Sequence, residues 1–225
     1  MEHPILFLDL LFEKFGLHIP PHLSYAVLAG LVLLGLGWLA GRNVTLVPKG
    51  AQNVFETIVG GLEEFMVDVT GEEGRGFFPF IATFFLFIMF CNLMGLVPGF
   101  YSATANINVT LSLALCTFVY THYLGVKYHG AKYIKHFMGP IPALAPLFFI
   151  IEIIGHFARV LSLTLRLFGN IMGEDLVLAI LLFLAGMFLA PLPMMFLAVF
   201  TSVVQAFVFT LLSMMYFAGA MEHAH

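Results

Sequence analysis

The sequence predicts an all-α integral membrane protein built as a single membrane domain. It is expected to hold five membrane-embedded helices and one amphipathic surface helix, the last two embedded helices forming a long, steeply tilted hairpin. Three observations carry this expectation. Of 225 residues, 61% are hydrophobic and only 10% charged, where a soluble domain has about 25% charged. Mean hydropathy is +1.01. The longest apolar stretch, 144–190, would form a helix of about 70 Å, against a hydrocarbon layer of about 30 Å. A net charge of −4 with no basic run offers nothing to a nucleic acid.

Residues 1–22, with Asp9, Glu13, His18 and the Pro20-Pro21 break, suit a short outer segment ahead of the membrane. Glu2, Asp9 and Glu13 without a basic cluster do not fit a cleaved signal. The first span is expected over 23–40, where Gly30, Gly35 and Gly37 permit close helix approach and Trp38 and Arg42 mark an interface. From 48 to 75 the pattern changes. Val54, Ile58, Leu62, Phe65 and Val69 recur at helical spacing, with Glu56, Glu63, Glu64 and Asp68 on other faces. That pattern predicts an amphipathic helix on the membrane surface.

The second span is expected over 77–98, and the third over 105–126, with Asn106, Asn108, Thr110 and Ser112 in its first turns. Cutting 144–190 at Gly169–Gly173 would leave a second piece of about 15 apolar residues, too short for a span. One helix lying far from the membrane normal, bent near those glycines, is the better expectation. Pro191-Leu192-Pro193 then turns the chain into a last helix over 194–217, with Gln205 and Thr210 as its interior polar residues.

Basic residues set the orientation. With the N-terminus outside, the inner side holds Arg42, Lys49, Arg75, Lys127, Lys132 and Lys135, and the outer side only Lys14. Arg159 and Arg166 are intramembrane. This obeys the positive-inside rule and places the C-terminus in the cytoplasm. Cys91 and Cys116 lie in apolar segments without metal or redox spacing and read as core thiols. His122, His129 and His136 run from a span into a loop without carboxylate or cysteine partners, and read as interface histidines; no metal or cofactor is expected.

The functional signal lies in Ser162-Leu-Thr-Leu-Arg166-Leu-Phe-Gly-Asn170, continuing to Glu174-Asp175. Arg166 keeps its charge at any biological pH. At the bilayer centre that charge costs about 2.5–3.5 kcal/mol on insertion scales and more in simulations. Ser162, Arg166, Asn170 and Glu174 make one polar stripe at i+4, while Asp175 falls nearly opposite Arg166. An ion path needs such separated polar stations in a dry wall. The alternatives are an arginine snorkelling near a helix end or held in an internal ion pair. Glu152 and His156 are further candidate lining groups, and Arg159, seven residues after Glu152, also suits a structural ion pair.

The chain resembles subunit a of F-type ATP synthases. The resemblance runs from about Pro48 to Tyr216. It rests on the Ser162–Asn170 segment, Val47-Pro-Lys-Gly-Ala-Gln52 with Glu56, Asn92-Leu-Met-Gly-Leu-Val-Pro98, Thr104-Ala-Asn-Ile-Asn108-Val-Thr110, Glu152, and Gln205-Ala-Phe207. It implies a proton-translocating stator subunit of a bacterial inner membrane. Such a subunit has two aqueous half-channels serving carboxylates on a rotating ring of c subunits. It implies no ATP chemistry of its own, which belongs to a partner catalytic sector. The expected partners are the c ring, a b-subunit peripheral stalk, the rest of the complex and the lipid bilayer. Arg166 would face the ring carboxylate, with Asn170, Ser162 and Gln205 around it. Asp175 and Glu174 align with the family's acidic position past the Asn. Its second titratable position falls on Ala198, so Glu152, His156 or Glu174 must complete that half-channel. The acids sometimes found in this family's Asn-Leu-Met segment and before the Asn108 position are Gly95 and Asn106 here. The proton is the expected coupling ion. A secondary transporter binding an anion at Arg166 lacks an internal repeat, and a membrane enzyme or haem anchor lacks a nucleophile–base or facing histidine pair.

Overall fold

The computed structural model describes residues 6–14, 16, 19–42, 50–130, 133, 144–185 and 191–221. Among these, seven α-helices form: α1 Phe7–Lys14, α2 Pro21–Gly41, α3 Ala51–Thr70, α4 Phe78–Met94, α5 Ile107–His129, α6 Ala145–Ala185 and α7 Pro191–Met221. No strand occurs among the described residues. Five helical segments, carrying α2, α4, α5, α6 and α7, are long and apolar enough to cross a membrane. Lys49, Lys132, Lys135 and His136 lie outside the described residues.

Local chemistry sets the boundaries. α2 opens on Pro21, whose fixed φ suits a first helical turn and whose missing N–H is no loss there. α3 stops at Gly71, where φ is 74°. A 3₁₀ segment, Glu72–Phe77, then leads into α4. The Asn106 side chain caps α5 by accepting from the Asn108 N–H at 2.9 Å, and Gly130, with φ of 55°, ends it. Two helices differ from their expected bounds. α4 ends at Met94 in tight turns because Pro98 and Gly99, with φ of 87°, cannot continue it. α7 begins at Pro191 and takes in both prolines, which its first turn tolerates. α6 runs through Gly169 and Gly173 as one helix.

α4, α5, α6 and α7 enclose the main core, to which α4 gives Ile81, Phe85 and Ile88, α6 gives Leu163, Leu167 and Ile171, and α7 gives Phe209 and Phe217. Phe80 stacks on Tyr120 at 4.4 Å, and Phe77 meets Phe217 edge-on at 5.3 Å. A smaller core joins α1, α2 and α4 around Tyr25 and Cys91. There the Tyr25 hydroxyl donates to the Gly99 carbonyl at 3.0 Å and accepts from the Leu8 N–H at 3.2 Å.

Two expectations change in detail. Cys91 is buried, but Cys116 is exposed on the outer face of α5 and is not a core thiol. Of the apolar stripe on α3, Leu62, Phe65 and Val69 pack against the core, whereas Val54 and Ile58 are exposed.

Candidate functional site

Arg166 stands one residue from the centre of the 41-residue helix α6. Each helix end is therefore about 30 Å away along the axis, which removes the helix-end snorkelling alternative. Its Nη2 donates to Ser162 Oγ at 3.3 Å, one turn back on the same face. Among the described residues it forms no ion pair. Arg166 is exposed, and to one side of it, about 80–140° round the helix, α6 bears an exposed apolar flank of Leu161, Leu165, Met172 and Leu176. The opposite face of α6, with Leu163, Thr164 and Leu167, is buried.

α6 and α7 pack antiparallel. The Arg159 guanidinium sits 5.5 Å from the Tyr216 ring centre, and Glu174 faces the Thr201 hydroxyl. That register puts Gln205 level with Asn170, one turn past Arg166. Ala198 is buried in α7, and the same register sets it level with Val177. Of the three groups expected to complete its half-channel, Glu174 is therefore near it, while Glu152 and His156 are more than about 30 Å away along α6.

Two polar clusters flank the arginine along α6, one about 13 Å away at Asp175 and the other about 15–21 Å away at His156 and Glu152. One gathers around Asp175 and Glu174, where α6 meets the segment preceding α5. Tyr101 there feels the Asp175 charge. Burial first, then that charge, holds its phenol above the ordinary range, while a hydrogen bond from Asn106 works against both. Asn106 Nδ2 also reaches His22 Nδ1 at 3.4 Å. Beneath them, Asn92 Nδ2 donates to the Ser202 carbonyl at 3.1 Å, and Asn92 Oδ1 accepts from Thr104, whose hydroxyl also meets Ser102 at 2.9 Å.

The other cluster centres on Glu152. Its Oε1 lies 3.4 Å from His156 Nε2 and 4.0 Å from Arg159 Nη2, so the expected Glu152–Arg159 pair is present and is shared with a histidine. His156 is buried and packs against His122 of α5, ring centres 4.8 Å apart and planes tilted by 55°. His122 Nδ1 contacts the Phe118 carbonyl at 2.9 Å, and His129 Nε2 reaches the Ala220 carbonyl at 3.1 Å. These two histidines therefore contact carbonyls on different helices, α5 and α7. A cavity of about 10 Å³ beside His156 is lined by Thr117, Thr121, Arg159 and Leu163 among others. It holds about one water.

His22, Tyr101 and His122 were not among the candidate residues of the sequence. Each lies on a different element from α6, so no spacing within the chain connects it to the α6 positions.

The family described as ATP synthase A chain matches residues 23–218, which takes in the first span as well as the segment from Pro48 onward. ATP synthase subunit a of Syntrophobacter fumaroxidans (strain DSM 10017 / MPOB) is 60% identical over the full length of both chains. The subunit a of Desulfosudis oleivorans (strain DSM 6200 / JCM 39069 / Hxd3) is 58% identical, and that of Citrifermentans bemidjiense (strain ATCC BAA-1014 / DSM 16622 / JCM 12645 / Bem) is 51% identical, again over both whole chains. This chain belongs to the ATP synthase A chain family.

Proposed function

We propose that the chain is the stator side of a proton-driven rotary device, with Arg166 facing a ring of small subunits that carry carboxylates through the membrane. One observation carries the reading: an exposed cation sits at the middle of α6, beside a broad exposed apolar flank, with no carboxylate partner among the described residues. A partner bearing an acid both covers that face and neutralises that charge. ATP chemistry belongs to the separate catalytic sector of the synthase, and this chain is its membrane component.

The two clusters supply the half-channels. Asp175 and Glu174, with Asn106, Tyr101 and His22, line the outer one; Glu152 and His156 line the inner one. Ser162, Asn170 and Gln205 keep the arginine's surroundings polar where the ring carboxylate passes. A proton crossing 100 mV releases about 2.3 kcal/mol, which does work only when direct passage is blocked. Arg166 blocks it by repelling protons between the half-channels. It also drives each passing carboxylate to ionise, since an opposite charge within about 4–6 Å typically lowers an acid's pKa by 1–3 units. The coupling ion is H⁺, and a c-subunit ring and a b-subunit stalk are the partners. The N-terminus lies outside the bacterial inner membrane, α3 on the cytoplasmic surface and the C-terminus in the cytoplasm. α6 would measure about 60 Å, twice the hydrocarbon thickness. Both of its ends are apolar, Phe149 at one and Phe183 and Leu184 at the other. A steep tilt, about 60° from the normal, keeps both ends out of water.

Inverted membrane vesicles holding the whole complex test this reading through ATP-driven acidification. Arg166→Ala should abolish pumping while the complex still assembles. Normal pumping by an assembled Arg166→Ala complex refutes the assignment.

A further inference from the structure

The α5–α6 interface places two histidines where a proton bound for the Arg166 face can be held and turned. His122 Nδ1 approaches a carbonyl at 2.9 Å. A carbonyl only accepts, so Nδ1 carries the hydrogen and Nε2 is the atom that gains and loses the titrating proton. His156 meets that ring at a tilt, centres 4.8 Å apart, and presents its own Nε2 to Glu152 Oε1 at 3.4 Å. Glu152 lies fourteen residues before Arg166. That separation is about 1400° of helix rotation, which returns it to within about 40° of the arginine's face. His156, by contrast, turns inward toward α5. The series His122–His156–Glu152 therefore runs from the crevice between two helices round to the face that Arg166 occupies.

We propose that His122 and His156 form a proton-transfer pair that loads Glu152 from the cytoplasmic side; this rests on the proton-translocating reading above. A proton taken up at His122 Nε2 gives one imidazolium. It passes to His156, directly or through the water-sized cavity beside it, and then from His156 Nε2 to the Glu152 carboxylate. One N–H bond breaks as each new N–H or O–H bond forms, and both imidazoles return to neutral. The surrounding charges make the pair take protons singly. Two imidazolium rings at this distance repel, and Arg159, 4.0 Å from Glu152, repels them further. Glu152 attracts one proton back. Among the described residues, Tyr133, 6.0 Å from the His122 ring centre, and Tyr216 of α7, which lines the cavity with His156, also face the pair.

The test measures ATP-driven pumping by inverted vesicles of the whole complex against external pH, the side that feeds this half-channel. His122→Gln with His156→Gln keeps polar side chains of similar size and removes both titrations. The half-maximal rate should then move to the acid side by about one pH unit or more, because at least about tenfold more protons are needed without a holding site. His156→Gln alone should shift in the same direction by less. An unchanged profile overturns the pair, and so does a loss that is equal at every pH, which marks a structural role. Failure of either double or single glutamine variant to assemble also counts against the pair, since it makes the rings packing elements. Arg166→Ala runs alongside. If it still abolishes pumping while the glutamine variants behave normally, only the histidine pair is lost. If it pumps normally, the wider reading falls.

Discussion

Asn92 gives the sharpest measure of how the helices around the Asp175 cluster are held. It is buried, 2% exposed, and its side chain joins three segments: Nδ2 donates to the Ser202 carbonyl of α7, and Oδ1 accepts from Thr104 in the segment before α5. Interhelical side-chain hydrogen bonds in membranes average about 0.6 kcal/mol and reach about 1.7. Two of them make about 1–3 kcal/mol for Asn92→Leu. The lower half is expected, because neither partner is orphaned: the Ser202 carbonyl lies inside a helix, and Thr104 retains Ser102 at 2.9 Å. Asn92→Asp keeps the acceptor and loses the donor, and it buries an ionisable group among apolar neighbours. Its folded pKa must then lie above the unfolded value of about 3.9. A raised acid binds its proton more tightly when folded, so the protein loses stability as pH rises past that unfolded value. Thermal unfolding of the purified chain in a mild detergent, at about pH 5 and about pH 8, measures both. Asn92→Leu should lose about 1–2 kcal/mol at either pH, and Asn92→Asp should lose more at the higher one. A loss below about 0.5 kcal/mol for Asn92→Leu, or an Asn92→Asp loss independent of pH, refutes the reasoning.

Two further outcomes follow from single contacts. Glu152→Gln removes the partner of both His156 and Arg159 and should slow ATP-driven pumping on the order of tenfold. Its thermal stability should stay within about 1 kcal/mol of the parent, since the pair is partly exposed; a large stability loss with unchanged pumping would mean a purely structural pair. Gly99→Ala meets both a φ of 87° and the Phe7 ring that packs there. It should destabilise by at least about 1 kcal/mol, with α1 released first, read as faster proteolysis within residues 6–14 than in the parent.

The sequence made the helices of this chain legible because their cues are local. Apolar length marks each span, Pro21 and Asn106 mark starts, and Gly71 and Gly130 mark stops. The polar stripe Ser162–Arg166–Asn170 was equally legible, since i+4 spacing is a property of one helix. The rest depends on what α5 and α7 bring to α6. The contact of His122 with His156 and that of Tyr101 with Asp175 join residues far apart in the chain, through helix register that no periodicity encodes. His122 reads from sequence as one of three histidines at intervals of seven. In the fold its neighbour is His156, and His129 turns to the end of α7. Cys116 was misread for the same reason: an apolar stretch in a membrane helix gives no sign of which flank faces lipid.

The length of α6 carries a consequence for direction of travel. At a tilt of about 60°, the roughly 30 Å of helix between His156 and Asp175 amounts to only about 15 Å of depth but about 25 Å of sideways displacement. A carrier that collects a proton at one station and surrenders it at the other is therefore carried mostly parallel to the membrane plane. Around an axis along the normal, such displacement is tangential, so on the proposed reading the tilt of a single helix turns a transmembrane drop in potential into torque.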